Sequence, residues 1–296
     1  MNSSRILTLT TALAVLALNS GPLLRAGEIL VKPGETVAFL GDSITQQGAL
    51  SGGYVRLVAD GLGVNGVPVE VVPAGVGGNK SNQMLERLEK SVLDKKPDWM
   101  TLSCGVNDVM QGTRGGVPLD EFKKNITAIV DRCQQAGVKV IMLTATQIRL
   151  PVTNSDNIKL AAYNDFLRDL AKERNLPLAD VSADMAAEQG ALAAARIRRS
   201  LTTDGVHMSI YGNIMMAKSV LATLGLDAKQ IAAAEAAWQS IPDASHLSAR
   251  VNVSISEHEA LEIMAEQARK PLPALLNDLA TAAAKEAAAK HPAPAK

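Results

Sequence analysis

Between residues 32 and 224, short apolar runs alternate with longer amphipathic stretches. Residues 36–40 (TVAFL), 67–72 (VPVEVV), 99–104 (WMTLSC) and 138–144 (VKVIMLT) read as buried strands, and 176–181 (LPLADV) as a weaker fifth. Helical spacing fills the intervals at 54–62, 82–93, 119–136 and 155–175. In the third of these Phe122, Ile126, Ile129, Val130 and Cys133 share a face, and in the fourth Leu160, Tyr163, Leu167 and Leu170 do. Strand–helix alternation of this length predicts an α/β domain with a parallel five-stranded sheet covered on both faces. Right-handed crossovers bring every strand's C-terminal end to one rim, where open α/β sheets bind their ligands. Chemistry is therefore expected directly after the apolar runs.

The pattern changes after residue 226. Residues 228–238 and 257–270 look helical, and Leu272, Leu275, Leu276 and Leu279 form a stripe at i, i+3, i+4 and i+7. Val251, Val253 and Ile255 alternate like a short strand. Residues 27–226 read as the main domain, 227–279 as a helical appendage, and the Ala- and Lys-rich 280–296 as a disordered tail. At the other end, residues 1–26 resemble a secretory signal: Arg5, an apolar stretch from Ile6 to Leu18, and Ala26 at a cleavage point. An uncleaved anchor or a disordered extension is the alternative. The stretch is shorter than the roughly 20 residues that span a bilayer, and no second segment is long enough. A secreted or periplasmic protein, with no stable membrane insertion after cleavage, is the expectation.

Composition narrows the classes. Hydrophobic residues are 47% of 296, ample for a core. Thirty basic residues balance thirty acidic ones, which argues against disorder and against a nucleic-acid partner. Aromatics at 3% leave little for a stacked sugar-binding platform. Two cysteines and four histidines argue against a disulfide scaffold or a Cys-rich zinc site. Export would permit a Cys104–Cys133 bond, but both fall in apolar patterns and read as free buried thiols.

Four short blocks carry candidate chemistry. Gly41-Asp42-Ser43-Ile44-Thr45 follows the first strand, so Ser43 sits where a helix N-terminus offers N–H groups to an oxyanion. A plain N-cap serine is the alternative. Residues 74–81 (AGVGGNKS) let a ligand approach the backbone, or form only a turn; Lys80 stands where a dinucleotide fingerprint needs its third glycine. Gly105-Val106-Asn107-Asp108 follows the third strand: Asn107 can aim an N–H at substrate or serve a turn, and Asp108 reads as structural. In Asp204-Gly205-Val206-His207, an Asp three residues before a His can hold one ring nitrogen and leave the other for a serine. A capping Asp beside a surface His is the alternative.

Together GDSIT, GVGGN, GVND and DGVH resemble the blocks of the SGNH, or GDSL-type, serine ester hydrolases, over residues 36–224. The resemblance implies a flavodoxin-like three-layer α/β/α fold. It implies Ser43 as nucleophile, His207 as general base and Asp204 as its orienting partner. The oxyanion hole would be the N–H groups of Ser43 and Gly78 and the side chain of Asn107, with Gly77 as the alternative to Gly78. No metal or cofactor is required. Arg114, Gln147 and Arg149, in loops bordering the site, are candidate contacts to substrate. The expected partner is a small-molecule or polysaccharide ester, with removal of acetyl groups from carbohydrate favoured. A lysophospholipase or thioesterase, or a catalytically silent glycan-binding protein, are the other readings; the oligomeric state stays open.

Overall fold

A computed structural model describes residues 28–110, 115–245 and 251–291. The signal reading of residues 1–26 and the candidate Arg114 therefore lie outside the described residues.

Five parallel strands form one sheet: β1 (Thr36–Gly41), β2 (Glu70–Gly75), β3 (Trp99–Ser103), β4 (Lys139–Leu143) and β5 (Leu178–Ala179), in the order β2-β1-β3-β4-β5. This is the doubly wound arrangement whose winding reverses between β1 and β3, so a crevice opens at the C-terminal ends of those two strands. The helices are α1 (Ser43–Gly48), α2 (Tyr54–Val64), α3 (Ser81–Ser91), α4 (Val106–Met110), α5 (Leu119–Gln135), α6 (Ser155–Glu173), α7 (Val181–Ala194), α8 (Ile210–Thr223) and α9 (Ala228–Trp238). α2, α8 and α9 pack as one group, and α3, α5 and α6 as another. The whole of β3 is buried, as a central strand covered on both faces must be. The α/β class and the parallel five-stranded sheet are as the sequence pattern predicts.

β2 starts at Glu70 rather than Val67, because its ladder with β1 begins where Thr36 meets Glu70. Pro73 within it is tolerated because β2 is an edge strand. α7 has no counterpart in the sequence reading, since its small alanines give no strong apolar period. Cys104 and Cys133 are free and buried; burial raises both thiols, Cys133 to about 12.

The first compact unit does not stop at residue 226 but continues to Ser245. α9 lies against α2 and α8, and the Trp238 indole donates to Leu57 O at 3.1 Å. The second unit begins at His246. Its α10 (Ile255–Gln267) and α11 (Leu272–Lys290) pack on each other, with Ala265 and Leu275 buried. The alternating residues before α10 form no strand; Ser254 instead caps that helix, reciprocally with Glu257. The expected disordered tail is helical as far as Lys290, in keeping with the high helix propensity of Ala and Lys.

Candidate active site

Ser43 owes its position to the residues on either side. β1 ends at Gly41, and α1 begins two residues later. The Asp42 carboxylate accepts from Ile44 N at 2.9 Å and caps α1. A Cβ on Gly41 would lie 2.0 Å from Thr45 Oγ1, so only glycine lets the helix fold back this tightly over the strand end. Gly75, ending β2, is required in the same way: a Cβ there would reach 2.2 Å from Gln46 N. Thr45 Oγ1 and Tyr54 OH, 2.9 Å apart, tie α1 to α2.

Asp204 and His207 sit on the loop between α7 and α8. An isolated antiparallel bridge between Thr202 and Met208 and a bond from Thr203 N to His207 O at 2.8 Å close this loop. Asp204 Oδ1 accepts from the Val206 and His207 amides at 2.9 and 2.8 Å, and Oδ2 lies 2.7 Å from His207 Nδ1. Gly205 takes φ 91°, a left-handed conformation that suits glycine at the apex of the turn. The other ring nitrogen, Nε2, is 2.8 Å from Ser43 Oγ. Partial burial is the largest single influence on Asp204 and acts upward, but the His207 ring and the two amides outweigh it and hold the carboxyl down at about 2. Asp204 is thus an anion, which favours a proton on Nδ1 and leaves Nε2 to accept from the serine.

The remaining blocks converge on the same rim. Asn107, buried at the start of α4, donates through Nδ2 to Asn79 O at 3.1 Å and, at 3.3 Å, to Asp42 Oδ2. The turn of residues 76–79 hangs from β1 through Val76 N to Gly41 O at 3.1 Å. Gly77 donates its N–H to Gln46 Oε1 at 3.0 Å, which commits that amide to the protein. Gly78 takes φ 73° and has nothing within 4 Å of where a Cβ would be. Burial raises Asp42 to about 6, against the cap bond and the His207 charge. Asp108, fully buried, accepts from Ser81 N at 3.0 Å and Ser81 Oγ at 2.6 Å, and so serves to anchor α3, as its structural reading expects.

Gln147 and Arg149 line a cavity of about 290 Å³ beside the loop that carries Asp204 and His207, together with Gln189, Arg199, Thr202 and Gly205. Arg149 N donates to Gly205 O at 2.6 Å, and a Cβ on Gly205 would meet Arg149 Cγ at 2.9 Å. Arg149 itself sits at φ 57°. Arg199 lies beyond the end of α7, with its guanidinium 4.7 Å from the Tyr211 ring centre. Among the described residues no group of three or more His, Cys, Asp or Glu side chains is placed to hold a metal ion. Sequence reasoning missed Arg87, whose guanidinium reaches both Asn79 and Gly41. On α3 it reads as an ordinary polar helix position, and nothing in the sequence marks it.

The model of the GDSL-like lipase/acylhydrolase family matches residues 39–213. The chain belongs to this family. Among its GDSL-like relatives is the acetylxylan esterase of Geobacillus stearothermophilus, 28% identical over 214 residues, which are 66% of this chain and 95% of that enzyme. The crystal structure of that organism's acetylxylan esterase Axe2 superposes with a TM-score of 0.60 at 26% identity, covering 67% of this chain and 97% of Axe2. The acetyl xylan esterase AlAXEase superposes with a TM-score of 0.59 at 33% identity, covering 63% and 98%. Further Axe2 structures are described as catalytic mutants of a serine, an aspartate and a histidine, the aspartate three positions before the histidine. Family and relatives make the chain an SGNH-type serine carboxylic ester hydrolase. Among the described residues no helix is long and apolar enough to cross a membrane.

Proposed function

We propose that the chain removes small acyl groups, acetyl above all, from carbohydrate through an acyl-serine intermediate at Ser43. The observation that carries the reading is the continuous chain Asp204 Oδ2–His207 Nδ1, His207 Nε2–Ser43 Oγ, at 2.7 and 2.8 Å. As Oγ attacks the ester carbonyl, His207 takes its proton and Asp204 steadies the resulting imidazolium. The tetrahedral oxyanion is held by the Ser43 and Gly78 amides and the Asn107 side chain. Asn107 meets it by giving up its longer bond, the 3.3 Å contact to Asp42. His207 then protonates the leaving alcohol, and water, deprotonated by the same imidazole, releases the acid.

Two observations support carbohydrate as the carrier of the acyl group. Acetylxylan esterases are among the relatives that align with about two thirds of this chain. The cavity beside Gly205 carries Gln147, Arg149, Gln189 and Thr202, polar side chains suited to sugar hydroxyls. Export, proposed on the composition of residues 1–26, would place the enzyme among extracellular polymers or envelope components; the N-terminus of protein recovered outside the cytoplasm tests it.

The substrate test is a panel of p-nitrophenyl esters of increasing chain length beside acetylated xylan, pectin and peptidoglycan fragments. A sharp preference for acetate with release from a polysaccharide supports the reading. A preference for long acyl chains would replace it with a lysophospholipase or thioesterase.

A further inference from the structure

Arg87 occupies an unusual position for a residue that touches none of the three triad side chains. It projects from α3, and its Nε donates to Asn79 Oδ1 at 2.6 Å while Nη2 donates to Gly41 O at 2.9 Å. Gly41 is two residues before Ser43. Asn79 directly follows Gly78, and its carbonyl receives the Asn107 side chain at 3.1 Å. All three proposed oxyanion donors therefore lie within two residues, or one hydrogen bond, of a residue that Arg87 grips.

The guanidinium is half-buried, and its Nη1 is buried without a hydrogen-bond partner among the described residues. No carboxylate pairs with it among those residues. Burial lowers the pKa of the group, as desolvation of an unpaired cation requires. Such a charge is a poor stability device, because an apolar side chain of similar length would fill the space without the desolvation cost. Asn79 and Gly41, in contrast, gain two fixed, charge-assisted bonds from one rigid fork.

We propose that Arg87 is a positioning residue that sets the spacing of the oxyanion hole by clamping the turn of residues 76–79 to the end of β1. The inference rests on Ser43 acting as the nucleophile, with Gly78 and Asn107 facing the oxyanion. Its effect belongs to the transition state, because the donors must meet the tetrahedral oxygen and not the ground-state carbonyl.

The experiment compares Arg87→Met, Arg87→Lys and Arg87→Ala with the wild type and Ser43→Ala in p-nitrophenyl acetate hydrolysis, alongside thermal melting. Arg87→Met is expected to lower kcat about ten- to a hundredfold, the scale of a misplaced catalytic group, with KM nearly unchanged and Tm held or raised. Arg87→Lys, which keeps the charge but loses the fork, should show the same split with a smaller drop; it carries the test if Arg87→Met does not fold. Guanidinium ion, far below denaturing concentration, should restore part of the kcat of Arg87→Ala. A kcat equal to wild type in a folded Arg87→Met or Arg87→Lys overturns the inference. So does a fall in kcat that follows Tm and gains nothing from guanidinium. Activity retained by Ser43→Ala would instead remove the reading on which the clamp depends.

Discussion

His207 Nε2 lies 2.8 Å from Ser43 Oγ although 164 positions separate the two residues in sequence. The sheet places Ser43 at the end of β1, and the closed loop before α8 delivers His207 to it. Substituting either side chain breaks the proposed proton relay without disturbing the core, since both are only partly buried. Ser43→Ala and His207→Ala are each expected to lower kcat by about 10⁴-fold or more with Tm little changed. Steady-state kinetics on p-nitrophenyl acetate and a melting curve check both halves.

Asp204 holds the ring through one carboxylate oxygen and its own loop through the other. Asp204→Asn keeps the size of the side chain but presents the wrong partner to Nδ1, so kcat should drop by about 10⁴-fold while the protein stays folded. The native carboxyl is held down at about 2, below its unfolded value of 3.8. Its stabilising contribution is therefore complete above pH 4 and is lost as pH falls through 2. Acid unfolding of the wild type between pH 4 and 2 should accordingly be steeper than that of Asp204→Asn.

Asn107 holds Asn79 O and, in the proposed mechanism, also faces the oxyanion. Asn107→Ala should reduce kcat by about 10²-fold, the usual loss for one oxyanion donor, with a much smaller change in KM. A loss confined to KM would assign Asn107 to ground-state binding instead.

Asp42 gives the opposite pH dependence. Burial raises it from 3.8 to about 6, so between those values the folded protein binds more protons than the unfolded chain. Stability from this group is present at low pH and falls as pH rises toward 6, by of order 3 kcal/mol. Asp42→Asn keeps an oxygen to cap α1 and removes the charge. The stability of the variant relative to wild type should therefore rise between pH 4 and 6 and stay level above, as denaturant titrations at several pH values would record.

The sheet was legible because β1, β3 and β4 are dense apolar runs separated by long helical stretches. Three of the four blocks were legible because each lies at the end of a strand or the start of a helix, and DGVH because it forms a tight turn in the closed loop before α8; in both settings backbone geometry restricts residue choice, and Gly41, Gly75 and Gly205 show that restriction as close contacts or a left-handed φ. α7 and the last turns of α11 were not, because alanine-rich helices carry propensity without amphipathic contrast. The place of α9 was hidden for another reason: its fit depends on the partner surface on α2 and α8, including the bare Gly61, where a Cβ would meet Leu221 at 2.8 Å. Arg87 was illegible because its role lies in two contacts, to Asn79 and to Gly41, that only the folded chain brings together.

If Ser43 is the nucleophile, an acyl-serine accumulates during turnover and can be trapped. The enzyme is mixed with p-nitrophenyl acetate, quenched in acid within the first turnovers, digested and analysed by peptide mass spectrometry. An acetyl group is expected on Ser43, and none at that position in Ser43→Ala. Acetylation of another residue that persists in Ser43→Ala, or turnover that continues in that variant at the wild-type rate, would contradict it.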